Sequence, residues 1–170
     1  MPAGHLNIVN PGLEIKQIQR TLPVNDAETG IVRGSCVVVD SGTWRRSVAA
    51  TDGGAANSPG AIAYWALQDQ GQPDVAKAGG LTAVPCTTQL QIETDQFAAG
   101  GTFPEGGFLA VDDDGVVTDH ADDQTAIGVV VKSPYNRWVN DRIHSAGQRQ
   151  GQYVSVIQFY TIYNTNLSTS

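Results

Sequence analysis

The sequence contains few of the residues on which metal sites and disulfide frameworks depend. Cys36 and Cys86 are its only cysteines, and no CxxC pair occurs in the 170 residues. Neither cysteine has a histidine near it in the sequence, so a structural zinc site is not expected. Both lie in apolar, strand-like runs and are interpreted as buried free thiols, whereas a disulfide would require the two strands to be neighbours.

Helix-favouring residues and long apolar runs are also scarce. Glutamate occurs four times and lysine three times, whereas glycine occurs 19 times. This composition favours strands and turns over helices. No apolar run approaches the roughly 18 residues of a membrane-spanning helix. Residues 1–17 lack the basic and apolar regions of a secretory signal, so we expect synthesis in a reducing cytoplasm and no membrane partner.

Basic residues are outnumbered by acidic ones. The chain has 17 Asp and Glu against 10 Lys and Arg, which gives a net charge of −7. A chain with this balance repels nucleic acid on average, so no nucleic-acid partner is predicted. Six of the acids are concentrated in one short segment: Asp112, Asp113, Asp114, Asp119, Asp122 and Asp123.

Motifs of known catalytic and cofactor sites do not occur. The sequence has no GxSxG, HExxH, P-loop or GxGxxG pattern. Residues 112–115 begin like a calcium loop, but the glycine comes too early and no distal glutamate follows, which favours a solvated turn. His120 with Asp122 and Asp123 could form half of a metal site, although an exposed loop histidine is the simpler interpretation. No catalytic residue, cofactor or metal site is therefore predicted.

Residues 102–134 have the clearest plan, which is strand, tight turn, strand, acidic loop, strand. An apolar run at 108–111 precedes Asp113-Asp114-Gly115, residues that tolerate the positive φ of a tight hairpin turn. A return strand at 116–118 and an acidic loop follow, and then a second β-branched run at 126–131. Residues 33–42 repeat the plan of glycine, apolar strand, aspartate and glycine turn.

Residues 86–95 show the cleanest alternation in the chain. Ile92 and Thr94 fall on a predicted dry face, and Gln91, Glu93 and Asp95 fall on a predicted wet face. The last predicted strand, residues 153–163, changes the parity of its apolar residues partway, which a bulge or cover on both faces would explain.

These patterns predict an all-β protein, a β-barrel or β-sandwich built from hairpins, with an extended N-terminal arm. Residues 1–22 form the predicted arm and residues 23–170 the predicted domain. In the arm, Leu13 and Ile15 alternate with polar neighbours, but Ile18 breaks the alternation, so a strand and a helical turn both remain open.

Two aromatic, arginine-rich segments, residues 44–46 and 135–142, suggest contact with a partner. Trp, Tyr and Arg are the residue types enriched at the centres of protein interfaces. Packing of the tryptophan on the end of the barrel, with arginine reaching to solvent, is an equally strong interpretation. Together with the arm, these segments supply the predicted partner-binding residues: Leu13, Ile15, Ile18, Trp44, Arg45, Tyr135, Arg137, Trp138 and Arg142.

Three stretches resemble the head-decoration, or cement, proteins of tailed bacteriophages. They are IVRGSCVVVDSGTW, GGLTAVPC and, most clearly, FPEGGFLAVDDDGVVTDHADDQTAIGVVV. The likeness covers about residues 31–131 and is one of pattern and composition, without a catalytic fingerprint. Residues 134–152 and the long final strand depart from the shorter members of that family.

The resemblance implies a structural virion protein without enzymatic activity. Such a protein would bind the major capsid protein on the capsid exterior, as a homotrimer that cements neighbouring subunits. Two alternatives remain open. One is a carbohydrate- or receptor-binding module of a viral tail or fibre, with Trp44, Trp65, Tyr135 and Trp138 as a sugar platform. The other is a β-barrel hydrolase or metal enzyme that uses His120, Asp122 and Asp123.

Overall fold

Two antiparallel sheets facing each other make up the described part of the chain. The computed structural model describes residues 4–9, 19–54, 60–86, 90–121, 124–143 and 149–166. Two short helices, α1 (Ala49–Asp52) and α2 (Pro73–Ala78), accompany the strands. The strands are β1 (Leu6–Ile8), β2 (Arg20–Leu22), β3 (Cys36–Asp40), β4 (Thr43–Arg46), β5 (Tyr64–Ala66), β6 (Leu81–Pro85), β7 (Gln91–Thr94), β8 (Phe108–Val111), β9 (Val117–Asp119), β10 (Thr125–Ile143) and β11 (Arg149–Asn166).

The strand order shows a sandwich. One sheet has the order β1-β7-β11-β10-β8-β9 and the other β2-β6-β5-β3-β4. Both orders are open at their ends, so the all-β prediction is confirmed in its sandwich form and not as a closed barrel. Neither described helix has the length and hydropathy of a segment that crosses a membrane.

The main core lies between the two sheets. Trp65 of β5 and Phe159 of β11 meet there with ring centroids 5.5 Å apart. Leu109 and Ile127 are among the residues that the six-stranded sheet contributes, and Val84 contributes from β6. Because each of these side chains is nearly or fully buried, this layer supplies most of the apolar burial that holds the sheets together.

A second apolar cluster covers the outer face of the five-stranded sheet. Val37, Trp44 and Leu81 pack there with Val75 of α2. The helix begins with Pro73 at its first turn and ends at Gly79, which adopts φ +70°, a conformation that glycine adopts without a side-chain clash. The sandwich therefore has one sheet covered on both faces.

The predicted hairpin turns are confirmed. The turn between β8 and β9 has Asp114 at φ 59° and Gly115 at φ 73°. The turn between β3 and β4 has Ser41 at φ 51° and Gly42 at φ 82°. At Ser41-Gly42 the two successive residues with positive φ form a two-residue turn whose twist matches the flanking strands. Residues Asp113–Gly115 form one 3-10 turn in the longer connection between β8 and β9.

The strand predicted for residues 86–95 is divided in the structure. β6 ends at Pro85 and β7 covers only Gln91–Thr94, while residues 87–89 lie outside the described residues. Ile92 and Thr94 are buried as expected, but Glu93 is buried as well. The wet-face assignment of Glu93 is therefore wrong, because polar side chains of other strands cover it.

The N-terminal segment joins both sheets where it is described. β1 pairs with β7 and β2 pairs with β6, so these parts of the predicted arm are sheet strands. Leu6 and Ile8 pack against the main core, which gives β1 an apolar reason to dock. Leu13, Ile15 and Ile18 lie outside the described residues.

The two cysteines provide a simple test of the sandwich. Both are free and buried, and burial raises the pKa of the Cys36 thiol to about 12. Because the thiolate is the reactive form, we expect the native protein to resist an aromatic disulfide reagent at neutral pH and both thiols to react in guanidinium chloride. Rapid modification of either thiol in the native protein would contradict the buried placement.

Candidate partner-binding site

The carboxylate of Glu93 is enclosed by protein on β7, the second strand of the six-stranded sheet. β7 lies between β1 and β11, and Glu93 is opposite Asn7 on one side and Gln158 on the other. Its side chain has 0 % exposure. A buried carboxylate is tolerated only where hydrogen bonds or a cation replace the water it loses.

Four side chains supply those hydrogen bonds. Nε2 of His5 lies 2.8 Å from Oε1 of Glu93, and Nη1 of Arg137 lies 2.7 Å from both carboxylate oxygens. Nε2 of Gln158 donates at 3.1 Å, and the hydroxyl of Tyr135 donates to Oε2. We refer to these five residues as the Glu93 cluster.

Electrostatics keep Glu93 ionised. Burial by itself would raise the pKa of the carboxyl, but hydrogen bonds from His5, Tyr135, Arg137 and Gln158 outweigh it and lower the pKa to about 2. Burial, together with the neighbouring carboxylate, raises the pKa of Tyr135. A carboxylate with so low a pKa is a poor general base at neutral pH, so the cluster is suited to joining strands.

The cluster joins the long β10–β11 hairpin to β7. Residues 134–143 and 149–156, here called the ribbon, extend beyond the positions at which β8 and β7 pair with these two strands. Pro134 and its neighbours continue β10 without interruption. The aromatic, arginine-rich segment at residues 135–142 is therefore part of a strand.

The ribbon must bend toward β7. On β11, Arg137 is opposite Val154 and Glu93 is opposite Gln158. Val154 and Gln158 are four residues apart along that strand. In a straight sheet that offset is about 13 Å along the strand, beyond the reach of an arginine side chain. Register shifts on β10 between Val130 and Lys132 and again before Tyr135 are bulges, which bend a strand and increase its twist.

The bend gives the ribbon two different faces. Val154 and Val156 share their face with Tyr135 and Arg137, the residues opposite them, and both valines are buried. On the other face Trp138 is 50 % exposed and Tyr153 is 70 % exposed. Their rings form an edge-to-face pair with centroids 5.0 Å apart, a favourable arrangement for aromatics.

Gly151 leaves space for the Trp138 ring. A Cβ atom at Gly151 would lie 2.3 Å from Cζ2 of Trp138, so any larger residue would displace the indole. Trp138 thus lies between the Gly151 backbone and the Tyr153 ring, across the strand pair. We call Trp138, Gly151 and Tyr153 the aromatic face of the ribbon.

The structure separates the predicted partner-binding residues. Trp44 is fully buried, and its indole Nε1 donates to the carbonyl of Leu81 at 2.7 Å. For this residue the packing interpretation holds, and it offers no surface to a partner. Tyr135 and Arg137 belong to the Glu93 cluster, although the Arg137 side chain remains 41 % exposed. Arg142 lies in the ribbon opposite Gln150.

Arg45 also has a partner within the chain. Its guanidinium makes two hydrogen bonds to Asp52, at 2.7 and 2.9 Å, and a third to Asp40 at 3.1 Å. Asp52 is buried and also accepts from the backbone N–H of Val48 at 2.7 Å. This ion pair joins β4 to α1, which is a structural role.

The alternative sites are not assembled as the sequence suggested. Trp44 and Trp65 are fully buried, so they cannot form a sugar platform with Tyr135 and Trp138. Nε2 of His120 lies 2.9 Å from the carbonyl of Gln124, and residues 122–123 lie outside the described residues. Within the described ranges, no group of three or more His, Cys, Asp or Glu side chains is placed to hold a metal ion.

Sequence reasoning missed three members of the cluster, namely His5, Glu93 and Gln158. Glu93 lies 42 residues from Tyr135 and 88 from His5, so no local spacing connects them. The one available signal was an acidic residue in the middle of a strand of β-favouring neighbours, where charge is disfavoured.

Comparison of the chain with protein-family profiles, curated proteins and solved structures finds no match.

Replacing Glu93 with glutamine tests the cluster. Arg137 and His5 would lose their anionic partner. Because the Arg137 side chain is 41 % exposed, we expect the free energy of unfolding at neutral pH to fall by about 2 kcal/mol, less than for a fully buried pair. The folded-state pKa of Glu93 is depressed. Its contribution to the free energy of unfolding is therefore complete above its ordinary pKa of 4.5 and is lost as the pH falls toward about 2.

Urea unfolding measured between pH 2.5 and 7 should therefore show a weaker acid dependence for Glu93→Gln than for the native chain. Glu105→Gln is the matched control, because Glu105 is exposed. Equal acid dependence in the Glu93 variant and the native chain would show that the cluster does not contribute to stability.

Replacing Arg45 with glutamine tests the second ion pair. The change leaves the buried Asp52 without its cation, and we expect a loss of about 2 kcal/mol, below the range for fully buried pairs because Arg45 is partly exposed. Arg20→Gln changes an arginine on an exposed strand and should alter stability much less. Equal denaturation midpoints for the two variants would contradict the structural role of Arg45.

Proposed function

We propose that this chain is a structural protein that attaches to a larger protein assembly through the aromatic face of the ribbon. The observation that carries the proposal is the exposed Trp138–Tyr153 pair on a ribbon joined to the sandwich by a buried carboxylate. Large aromatic side chains dominate the binding energy of protein interfaces. When their position is fixed before binding, less conformational entropy is lost on association.

The surroundings of the aromatic pair suit a protein partner. Asn136 and Ser155 are opposite each other next to the pair, on the same face of the ribbon, and both are exposed. This part of the face therefore combines aromatic rings with uncharged hydrogen-bonding groups, as interface centres do. In a chain of net charge −7, an uncharged patch around these four described side chains also limits repulsion from an acidic partner or from other copies.

The assembly we propose is the exterior of a phage capsid, with the major capsid protein as partner. Support for this step is the resemblance of residues 31–131 to head-decoration proteins. A protein that binds only the assembled lattice stabilises it by the free energy of that binding. Three copies joined as a trimer would add avidity. No catalytic step is required for this role.

Substitutions on the aromatic face test the attachment. We expect Trp138→Ser and Tyr153→Ser each to weaken binding to empty capsid shells of the same virus at least about 10-fold, the scale of an interface hot spot. The measurement is co-sedimentation with shells over a range of protein concentrations. Tyr160→Ser is the control, because Tyr160 is an aromatic of 44 % exposure outside the ribbon.

Thiol protection would verify that each variant is folded. Binding of both folded ribbon variants with native affinity would show that the aromatic face is not the attachment surface. A protein whose solution mass is that of a monomer, with native shell binding, would remove the trimer from the proposal.

A further inference from the structure

We propose that docking of the N-terminal strand β1 positions the ribbon, so that β1 regulates binding through the aromatic face. This inference rests on the proposed attachment for its functional part. Its structural part is independent of any partner: β1 and the ribbon are joined to the same carboxylate and should order one another.

The shared carboxylate is the first observation. Oε1 of Glu93 accepts from His5, which immediately precedes β1, and from Arg137 of the ribbon. β1 forms the edge of the sheet next to β7, and His5 is buried beside Glu93. If β1 left, water would reach the carboxylate from that side. The Glu93–Arg137 pair would then weaken toward the small contribution of a surface ion pair.

The second observation is that β1 is a weakly held element. It has three residues, all only partly buried, and it pairs with one neighbour, β7, through the described residues. Two hydrogen bonds to side chains hold the segment before β1. The His5 N–H donates to Asp95 at 2.9 Å, and the Gly4 N–H donates to Asp69 at 3.1 Å. Short edge elements with few buried contacts open at lower free energy than the sheet core.

The third observation is a narrow passage that holds the segment before β1. A Cβ atom at Gly4 would lie 2.0 Å from the carbonyl oxygen of Arg33. Gly34 lies against the backbone of His5. It has φ +90°, and a Cβ atom there would lie 2.5 Å from the carbonyl oxygen of His5. A side chain at residue 4 would therefore displace the segment before β1, including His5, without substituting any residue of the Glu93 cluster.

Coupling of this kind is reciprocal. If docking of β1 stabilises the ribbon, fixing the ribbon must stabilise the docking of β1 by the same free energy. A partner that binds the aromatic face would then strengthen the docking of β1, and displacement of β1 would weaken the binding of the partner. A merely local structural role of His5 would not produce an effect on both segments.

Hydrogen exchange of the isolated chain, followed by mass spectrometry, tests the coupling. We expect Gly4→Val to speed exchange of residues 134–139 and 151–156 about 10-fold, within the usual range of coupling between sites. Conversely, Arg137→Gln should speed exchange of residues 5–8. Gly71→Val is the control for the first variant, since a Cβ atom there meets nothing within 4 Å. Trp138→Ser is the control for the second, because it alters the opposite face of the ribbon.

A second β1 variant covers the case in which the passage accommodates valine. Leu6→Asn with Ile8→Asn removes the apolar contacts that dock β1. Faster exchange of residues 5–8 with unchanged exchange of the ribbon, in either variant, would overturn the inference. Unchanged exchange of residues 5–8 in Arg137→Gln would overturn it as well.

Shell binding then separates this inference from the proposed function. We expect Gly4→Val to weaken co-sedimentation about as much as it speeds exchange of the ribbon. Coupled exchange with native affinity in this variant would overturn the regulatory part of the inference. Native affinity in Trp138→Ser would instead overturn the proposed function, and the exchange results would still decide whether β1 and the ribbon are coupled.

Discussion

The burial of one ionised carboxylate constrains the arrangement of four strands. Glu93 lies in the sheet with no exposed surface, and an isolated buried charge would be very unfavourable. It is tolerated because His5, Tyr135, Arg137 and Gln158 supply donors from β10, β11 and the residue before β1. Hydrogen bonds to an ionised acceptor are short and directional. Their geometry therefore limits where these strands can lie relative to β7.

That constraint explains how a long hairpin can be both extended and fixed. A two-stranded ribbon without neighbouring strands is marginally stable in water. Here bulges in β10 bend it toward β7, where Arg137 pairs with Glu93 and the valines of the inner face are buried. The aromatic rings remain on the outer face, and their exposure is a consequence of the bend.

The sandwich behind the ribbon has ion pairs of its own. Arg45 with Asp52 and Arg46 with Glu28 join β4 to the segments around it. These arginines follow a tryptophan and resemble an interface motif in sequence, yet they stabilise the fold. Adjacent residue types that favour interfaces also favour packing, since both environments select large side chains with a polar group.

By itself the sequence determined the local features of this protein. Alternating strands and the positive-φ turns at Asp114-Gly115 and Ser41-Gly42 follow from short-range chemistry, which residue type and spacing express directly. Only the tertiary structure decided that Glu93 is buried, that Trp44 belongs to the core and that Trp138 is exposed. The reason is that burial depends on which distant strands come to cover a residue. For Glu93, bulges in β10 bring Tyr135 and Arg137 over the carboxylate, although these residues lie 42 and 44 positions away along the chain.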